Sequence, residues 1–302
     1  MYERYYGLQE RPFDLSPNPR FLWFTPQHRE ALVHLEYGLA GQRGVTVLLG
    51  EAGTGKTTLI RAALLGSNSA STIVHLSNPT LTRSEFFEYL ASGFNFSEEA
   101  GQSKIQFLRE LEIALGSDDG PRLALVVDEA QSVPYELLEE IRLLTNAEAN
   151  HRSLAVALVG QPELAHRLEE TRLRQLKQRV VLRCELTPLS LKDTAGYISG
   201  RIKTAGGEAA KLFTRDAVVA IHQHSNGIPR VISVICDNAL VNGFAADQKP
   251  VGVSMVVEVC RTLSLSNTPA PVVQTPVPEP VPLAPEAAMF SQIGGRRRFS
   301  FF

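Results

Sequence analysis

The 302-residue sequence has few of the features that mark secreted, membrane or metal-binding proteins. Its three cysteines, Cys184, Cys236 and Cys260, are widely separated and lack the CxxC spacing of zinc and redox sites. The N-terminus lacks the apolar core of a signal peptide, and no apolar run is long enough to span a bilayer. A formal net charge of −2 gives no overall attraction to nucleic acid or anionic lipid, although a local basic groove stays open. We therefore expect a cytoplasmic protein with reduced, partly buried thiols.

One glycine-rich segment fits the phosphate-binding loop pattern GxxxxGK(S/T) at every constrained position. Its glycines permit positive φ and let successive backbone N–H groups turn toward an anion. Lys56 adds a catalytic positive charge near the β and γ phosphates of a nucleotide, and the Thr57 hydroxyl is placed to ligate Mg²⁺. The predicted ATP-binding residues are Gly50, Glu51, Ala52, Gly53, Thr54, Gly55, Lys56, Thr57 and Thr58. The alternative is a glycine-rich turn that happens to precede a lysine.

The pattern around this loop predicts an α/β fold. A β-branched apolar run over 45–49 precedes the loop and a helical pattern over 58–65 follows it, which is the order that a phosphate loop needs. Further strands are predicted over 71–76, 123–127, 154–159 and 180–183, and helices over 27–39, 84–93, 104–115 and 135–145. Strands that alternate with helices indicate βαβ units. We therefore expect a three-layer parallel sheet of the P-loop NTPase class.

An acidic pair ends the most apolar strand pattern. Asp128 and Glu129 follow five consecutive apolar residues at 123–127, which favours a central strand covered on both faces. Neighbouring residues at a strand end point to different sides, which suits two distinct tasks. We expect Asp128 to hold Mg²⁺ and Glu129 to orient or deprotonate the attacking water. The alternative is a solvated acidic loop.

Two further residues are candidates for contact with the terminal phosphate. Gln161 follows the strand predicted over 154–159, where it can bond the γ phosphate or the attacking water, unless 160–162 is a plain turn. Arg230 follows a Gly-Ile-Pro sequence at the start of a predicted helix. From there it would point toward the phosphates and couple nucleotide state to the angle of the second domain. A structural arginine is the alternative.

A basic segment precedes the last predicted strand. Arg172, Arg174 and Arg179 lie where ring-forming ATPases present an arginine to the nucleotide of the neighbouring subunit. Such an arginine stabilises the negative charge that develops on the transferred group. We prefer Arg179 for this role and Arg174 as the second candidate. A solvated basic face is the alternative for each.

The chain divides into three predicted regions. An ATP-binding α/β domain over 1–186 includes an irregular aromatic and proline-rich opening packed onto it. A helical lid domain over 187–265 has helices predicted over 191–205, 214–224, 229–244 and 254–262. Seven prolines within 269–285 favour a disordered tail over 266–302. Its final arginines and phenylalanines could touch a membrane surface or a partner groove, but a solvated end is favoured.

Several of these segments together resemble the ExeA, or general secretion pathway protein A, family of AAA+ ATPases. The resemblance covers about 1–262 and rests on the opening YYGL with RPF, the loop GEAGTGKTT and the strings VDEAQ, GQPEL and GIPR. It implies a helical lid, oligomer formation and a part in assembling secretion or polysaccharide export machinery of the bacterial envelope. It also implies sensor roles for Gln161 and Arg230. Family members often continue into a membrane span and a periplasmic peptidoglycan-binding domain, neither of which this sequence indicates.

These observations lead to one preferred function and two alternatives. We expect a homo-oligomeric, Mg²⁺-dependent ATPase whose hydrolysis rotates the lid and remodels a protein partner in the envelope machinery. It would act in the cytoplasm or, through that partner, at the cytoplasmic face of the inner membrane. The first alternative is a DNA-binding ATPase of the transposition-helper type, which the slightly acidic charge and the lack of a nucleic-acid motif disfavour. The second is a switch that binds ATP but scarcely hydrolyses it, against which Glu129 argues.

Overall fold

A computed structural model describes residues 1–40, 44–66, 71–117, 120–149 and 152–265 of the chain. All of these residues lie within one unit, Met1–Asn267. The tail predicted over 266–302 lies outside the described residues.

The strands form one large sheet and one short antiparallel pair. Their bounds are β1 Val45–Gly50, β2 Ser71–Leu76, β3 Arg122–Val127, β4 Glu148–Ala149, β5 Arg152–Ser153, β6 Ala155–Gly160 and β7 Val180–Leu186. Strands β4 and β5 pair with each other. The other five form a parallel sheet in the spatial order β2, β3, β6, β1, β7. Strands β1 and β6 are buried along their whole length, as central strands of a parallel sheet must be.

Strand β7 extends three residues beyond the predicted end at residue 183. Its residues alternate in exposure near the end, with Cys184 and Leu186 turned inward. Because β7 lies at the edge of the sheet, this alternation replaces the continuous apolar run of a central strand. The weaker apolar signal explains why the sequence pattern predicts too short a strand.

Fourteen helices are found within the described ranges. They are α1 Glu3–Tyr6, α2 Pro26–Leu39, α3 Lys56–Gly66, α4 Arg83–Phe94, α5 Glu98–Gln102, α6 Lys104–Gly116, α7 Tyr135–Leu144, α8 Pro162–Glu169, α9 Arg174–Lys177, α10 Leu191–Thr204, α11 Ala209–Leu212, α12 Arg215–Ser225, α13 Pro229–Ala245 and α14 Val253–Thr262. Single turns of 3₁₀ helix lie at Pro19–Phe21, Ala130–Ser132 and Thr171–Leu173. Five helices, α1, α5, α8, α9 and α11, have no counterpart among the predicted elements; all but α8 have only four or five residues, too few to show a helical period.

Helices cover both faces of the sheet and so make three layers. Helices α2 and α3 pack on one face, where Leu35, Leu59 and Ile60 are buried. Helices α4 to α9 pack on the other face, where phenylalanines of α4 and α6 meet edge to face, as Phe87 and Phe107 do at 5.1 Å between ring centroids. The expected three-layer α/β architecture is confirmed.

Helices α10 to α14 build a separate apolar core around residues such as Ile202, Ile232 and Leu240. The opening residues of the chain share this core, in which Tyr6 and Phe13 are almost completely buried. The sequence predicts that the opening packs onto the α/β domain, and this prediction is wrong for these aromatic residues. Their density shows that they need burial, but it does not show which apolar surface buries them. The domain bounds 1–186 and 187–265 stay predictions.

Residues 1–21, here called the strap, are bonded to the helical bundle along their length. The Tyr2 hydroxyl donates to Asp237, and the Gln9 backbone N–H donates to the Ala205 carbonyl at 2.9 Å. Just after the strap, Trp23, the single tryptophan of the chain, packs against α10. A Cβ at Gly196 would come within 2.5 Å of the indole, so this close approach requires glycine.

The three cysteines are buried and unpaired, as expected. Burial raises the pKa of Cys184 and of Cys260 to about 11, which favours the thiol form of both at neutral pH. No helix in the described part of the chain combines the length and the apolarity that crossing a bilayer requires.

Candidate nucleotide site

The carboxyl ends of three neighbouring strands bring the predicted site residues to one edge of the sheet. The register pairs Leu49 with Gly160 and Val127 with Leu158, so that β1, β3 and β6 end side by side. The glycine loop follows β1, the acidic pair follows β3 and Gln161 follows β6. In open α/β sheets this edge is where ligands bind.

The glycine loop closes around the lysine that ends it. Lys56 is the first residue of α3 and is 5% exposed, and its Nζ donates to the carbonyl oxygens of Gly50 at 2.7 Å and Glu51 at 3.0 Å. Gly53 and Gly55 have φ values of 84° and 104°, which other residues adopt only with strain. The loop therefore has the curvature of an anion cradle, with an ammonium group at its base and a helix N-terminus beside it.

Burial lowers the pKa of Lys56, while the nearby carboxylates of Glu129 and Asp128 oppose this shift. A bound triphosphate would add negative charge at the same place and further favour the ammonium form. The electrostatics of the loop are therefore suited to a polyanion.

Thr57 and Asp128 present two oxygen ligands side by side. Thr57 Oγ1 donates to Asp128 Oδ2 at 2.9 Å, and Asp128 is 5% exposed. Asp128 Oδ1 accepts the backbone N–H of Glu129 at 2.9 Å, which fixes the orientation of the carboxylate. Hydroxyl and carboxylate oxygens are ligands that Mg²⁺ prefers, so this pair fits a magnesium ion that is bound together with a nucleotide.

Glu129 and Gln161, predicted from separate segments, are in contact. Gln161 Nε2 donates to Glu129 Oε2 at 3.3 Å. Glu129 has left-handed backbone angles, φ 50° and ψ 38°, which are uncommon for a residue with a side chain and are typical of functional sites. Gln161 is the N-cap of α8, which begins with Pro162, so residues 160–162 lead into a helix.

Gln131 is a site residue for which the sequence pattern gave no role, although it stands in the VDEAQ string. Its Nε2 donates to Glu129 Oε2 at 2.6 Å, and its Oε1 accepts the backbone N–H of Gln161 at 3.0 Å. The sequence places Gln131 two positions after Glu129, so that contact could have been expected. The contact with Gln161 depends on where β6 ends, which the sequence around Gln131 does not show.

His28 is a second residue without a sequence signal. It lies on α2, 3% exposed, and its Nε2 donates to the carbonyl oxygen of Thr54 in the loop at 3.3 Å. Its Nδ1 lies 2.7 Å from Thr25 Oγ1, which can then donate to it. Burial lowers the pKa of His28, so the neutral ring is favoured at this position.

A cleft of about 230 Å³ adjoins the loop and is lined in part by the helical bundle. Its lining includes Trp23, His28, Lys56, Tyr197, Arg201 and Arg230. The backbone N–H of Arg230 donates to the Gly53 carbonyl at 3.1 Å, so the start of α13 touches the loop directly. The geometry therefore places Arg230 beside the nucleotide loop.

The three basic-segment arginines lie apart from this cleft, since none of its described lining residues belongs to that segment. Arg172 stacks 4.2 Å from the ring centroid of Tyr135 and pairs with Glu170 at 3.6 Å. Arg179 is exposed and donates to Asn146, and Arg174 is exposed as well. All three arginines are thus exposed, and Arg172 and Arg179 also bond local side chains.

Known proteins share the family and the fold of this chain. Residues 39–168 match the family described as AAA domain. The chain therefore carries an AAA domain over this range, and its fold is that of P-loop ATPases. It is similar to General secretion pathway protein A of Aeromonas hydrophila, with 40% identity over 248 residues that cover 81% of this chain and 45% of that protein. The resemblance expected from the motifs is confirmed, and the chain spans less than half the length of this relative.

Solved structures show the same fold at low identity. The Cdc6 protein of Pyrobaculum aerophilum superposes with a TM-score of 0.63 at 19% identity, over 83% of this chain and 70% of that one. A Walker-type ATPase of Pyrococcus abyssi superposes with a TM-score of 0.59 at 20% identity, over 84% and 77%. The ORC2 protein of Aeropyrum pernix gives 0.58 at 14%, over 84% and 71%. At these identities the likeness concerns the fold alone.

Proposed function

We propose that this chain binds ATP together with Mg²⁺ and hydrolyses it where β1, β3 and β6 end. One observation carries the proposal: three separate segments converge on a single edge, with Thr57 2.9 Å from Asp128 and Gln161 3.3 Å from Glu129. The first contact joins two side chains suited to hold Mg²⁺, and the second joins two side chains suited to orient the attacking water. The AAA domain and the glycine loop support the same reaction.

The proposal assigns a task to each side chain. The loop N–H groups and Lys56 bind the β and γ phosphates. Thr57 and Asp128 hold Mg²⁺, which when bound supplies positive charge against the phosphate oxygens. Glu129 orients the attacking water and accepts its proton, and Gln161 bonds this water or the γ phosphate.

The helical bundle would transmit the state of the nucleotide. Arg230 approaches the loop from α13, whose backbone already bonds Gly53 at 3.1 Å. Loss of the γ phosphate would remove an anionic partner of Arg230 and so change the preferred angle of the bundle. In a homo-oligomer, an exposed arginine of the basic segment, Arg179 or else Arg174, would reach the site of the neighbouring copy.

We further propose that this cycle serves the assembly or remodelling of a bacterial envelope machine for secretion or polysaccharide export. The similarity to General secretion pathway protein A supports this assignment. The protein would then act in the cytoplasm or, through its partner, at the cytoplasmic face of the inner membrane. Because the chain spans 45% of that relative, the partner is inferred by likeness of the shared part alone.

Binding of ATP is tested with the tryptophan in the cleft. Trp23 is the single tryptophan and lines the cleft, so its emission should change as ATP and Mg²⁺ are added. Lys56→Ala should abolish this change, because the loop loses its ammonium. Lys211→Ala, which removes an exposed lysine paired with Glu208, is the matched control and should behave as the unmodified chain. Unchanged ATP affinity in Lys56→Ala would refute the site.

The envelope role is tested against the DNA alternative. ATP turnover should be insensitive to duplex DNA across a salt series, whereas a DNA-dependent ATPase shows stimulation that falls steeply with salt. A Glu129→Gln variant that retains ATP should co-purify from its host with proteins known to belong to an envelope machine. Lys56→Ala, which does not bind ATP, should not. Salt-dependent stimulation by DNA, or isolation of a transposase, would replace the envelope assignment.

A further inference from the structure

The amide group of Gln131 joins the acidic pair to the start of α8. Its Nε2 lies 2.6 Å from Glu129 Oε2, and its Oε1 lies 3.0 Å from the backbone nitrogen of Gln161. The backbone N–H can only donate, so the atom facing it must be the amide oxygen. The NH₂ group is then directed at Glu129, and the orientation of the amide follows from its partners.

The backbone around Gln131 is held from outside the site. Arg167, on α8, donates to the carbonyl oxygens of Gln131 and of Val133, the latter at 2.8 Å. Its guanidinium lies 4.3 Å from the ring centroid of Tyr135. A Cβ at Gly160 would come within 2.7 Å of Gln131 Oε1, so the amide packs closely on the end of β6. The amide is thus held by contacts within the chain.

The two amides that reach Glu129 do so unequally. Both donate to Oε2, Gln131 at 2.6 Å and Gln161 at 3.3 Å. Within the described residues, no hydrogen bond to the other carboxylate oxygen is found. Oε1 is therefore the atom left to accept a proton from water, and the longer Gln161 bond is the one more readily exchanged for a phosphate oxygen.

We propose that Gln131 is a positioning residue for Glu129, an inference that rests on the proposed function. Its amide holds the Glu129 carboxylate in one orientation throughout the cycle. Gln161 can leave Glu129 for the γ phosphate, while its own backbone stays bonded to the Gln131 amide. One side chain thereby links the group that contacts the phosphate to the group that activates water.

Substitution of Gln131 should lower kcat and spare binding. Gln131→Met keeps the length of the side chain and removes both hydrogen bonds, and Gln131→Glu keeps an acceptor for Gln161 but has no donor for Glu129. We expect both to reduce kcat by about 10- to 100-fold, since a misplaced catalytic group costs up to about 100-fold. The KM for ATP and the Trp23 emission change should stay within about twofold. Gln106→Met, which removes a part-buried 2.8 Å amide bond to Glu110 outside the cleft lining, is the matched control.

A double-mutant cycle separates positioning from a structural role. In a Glu129→Gln background, Gln131→Met should cause a much smaller loss of turnover than in the unmodified chain, because the part of its effect that passes through Glu129 is already lost. Losses that multiply, or a parallel rise in KM and fall in Tm, would overturn the inference in favour of a structural role. Full kcat in Gln131→Met beside an inactive Glu129→Gln would also overturn it and leave the proposed function intact. Full turnover in Glu129→Gln would overturn both.

Discussion

The glycine loop and the strap border the same cleft, but their contacts depend on the sequence in different ways. The loop's internal bonds join near neighbours, as from Lys56 to Gly50, six positions away. The strap's bonds join residues from opposite ends of the chain, as from Arg201 to Pro12 and Asp14, 189 and 187 positions away. The loop is therefore encoded locally, and the strap is encoded by the assembled fold.

This difference decides which parts of the cleft can be recognised from the sequence. Local geometry fixes which phosphate chemistry the loop supports, so a short pattern suffices to identify it. The strap and the bundle shape the remainder of the cleft, and their contribution depends on packing that no short pattern describes. Three sets of substitutions can show whether the loop and its surroundings act as one site. They lie where the loop meets the helical bundle, where the bundle bonds the strap, and beside the loop on α2.

The largest effect should come from a methyl group placed where the glycine loop meets α13 of the helical bundle. In Gly53→Ala the new Cβ would lie 2.7 Å from the Cβ of Arg230, and φ at this position is 84°. Left-handed strain of about 1–2 kcal/mol combines with overpacking of about 1–3 kcal/mol. We expect the free energy of unfolding to fall by about 2–5 kcal/mol, measured by urea denaturation, and the ATP affinity to fall with it.

The matched control has the same backbone strain without the contact. Gly7 has a φ of 72°, and a Cβ added there would meet no heavy atom of the described residues within 4 Å, apart from its own chain neighbours. Gly7→Ala should therefore lose only about 1–2 kcal/mol and keep its ATP affinity. Equal losses in both variants would show that the loop and α13 do not constrain each other.

Much of the α/β fold was predictable because its signals are local. The apolar run before Asp128 and Glu129 marks a central strand, and the order of strand, loop and helix around Lys56 marks the phosphate site. Parallel strands carry their loops to one edge, so the convergence of these residues with Gln161 follows from topology. Their catalytic roles remain predictions, because the geometry shows proximity and not turnover.

The remaining features could not be predicted, for physical reasons that differ between them. The Gln131 amide bonds Glu129, which follows β3, and Gln161, which follows β6. Only Glu129 is close to Gln131 in the sequence. His28 touches Thr54 because α2 packs beside the loop, a contact that depends on the angle of a helix against the sheet. The strap's aromatic residues show that they need burial, but two apolar surfaces of similar character compete for them.

The second prediction tests the strap through the side chain that holds it. Arg201 donates to the carbonyl oxygens of Pro12 and Asp14, the latter at 2.9 Å, and to the Tyr197 hydroxyl at 2.6 Å. Arg201→Met should lower the free energy of unfolding by about 2–3 kcal/mol, because hydrogen bonds to charged groups are lost and carbonyl groups lose their donor. Limited proteolysis within 1–21 should become faster.

An exposed arginine of the strap itself provides the comparison. Arg11 bonds Glu3 at 3.1 Å with 61% of its side chain exposed, so Arg11→Met should leave stability and proteolysis nearly unchanged. Were Arg201→Met to resist protease as well as the unmodified chain does, the strap would be held by its aromatic residues and not by this guanidinium.

The smallest effect concerns the pH dependence of stability that His28 contributes. Burial lowers the pKa of His28 in the folded chain, so the unfolded chain binds this proton at a higher pH, near the ordinary value of about 6.5. Stability should therefore decrease as the pH falls below about 6.5, by at most about 1.4 kcal/mol per pH unit from this group. Urea denaturation at several pH values between about 7.5 and 5.5 measures the slope.

Replacement of His28 should flatten that slope, since the proton difference between the two states disappears. His28→Asn should also be less stable at the upper end of this pH range, because the ring's contacts with Thr25 and Thr54 are lost. His166→Asn, at an exposed position on α8, should keep the original slope. If His28→Asn kept it too, His28 would be titrating alike in both states, and the packing of α2 against the loop would be looser than the buried ring indicates.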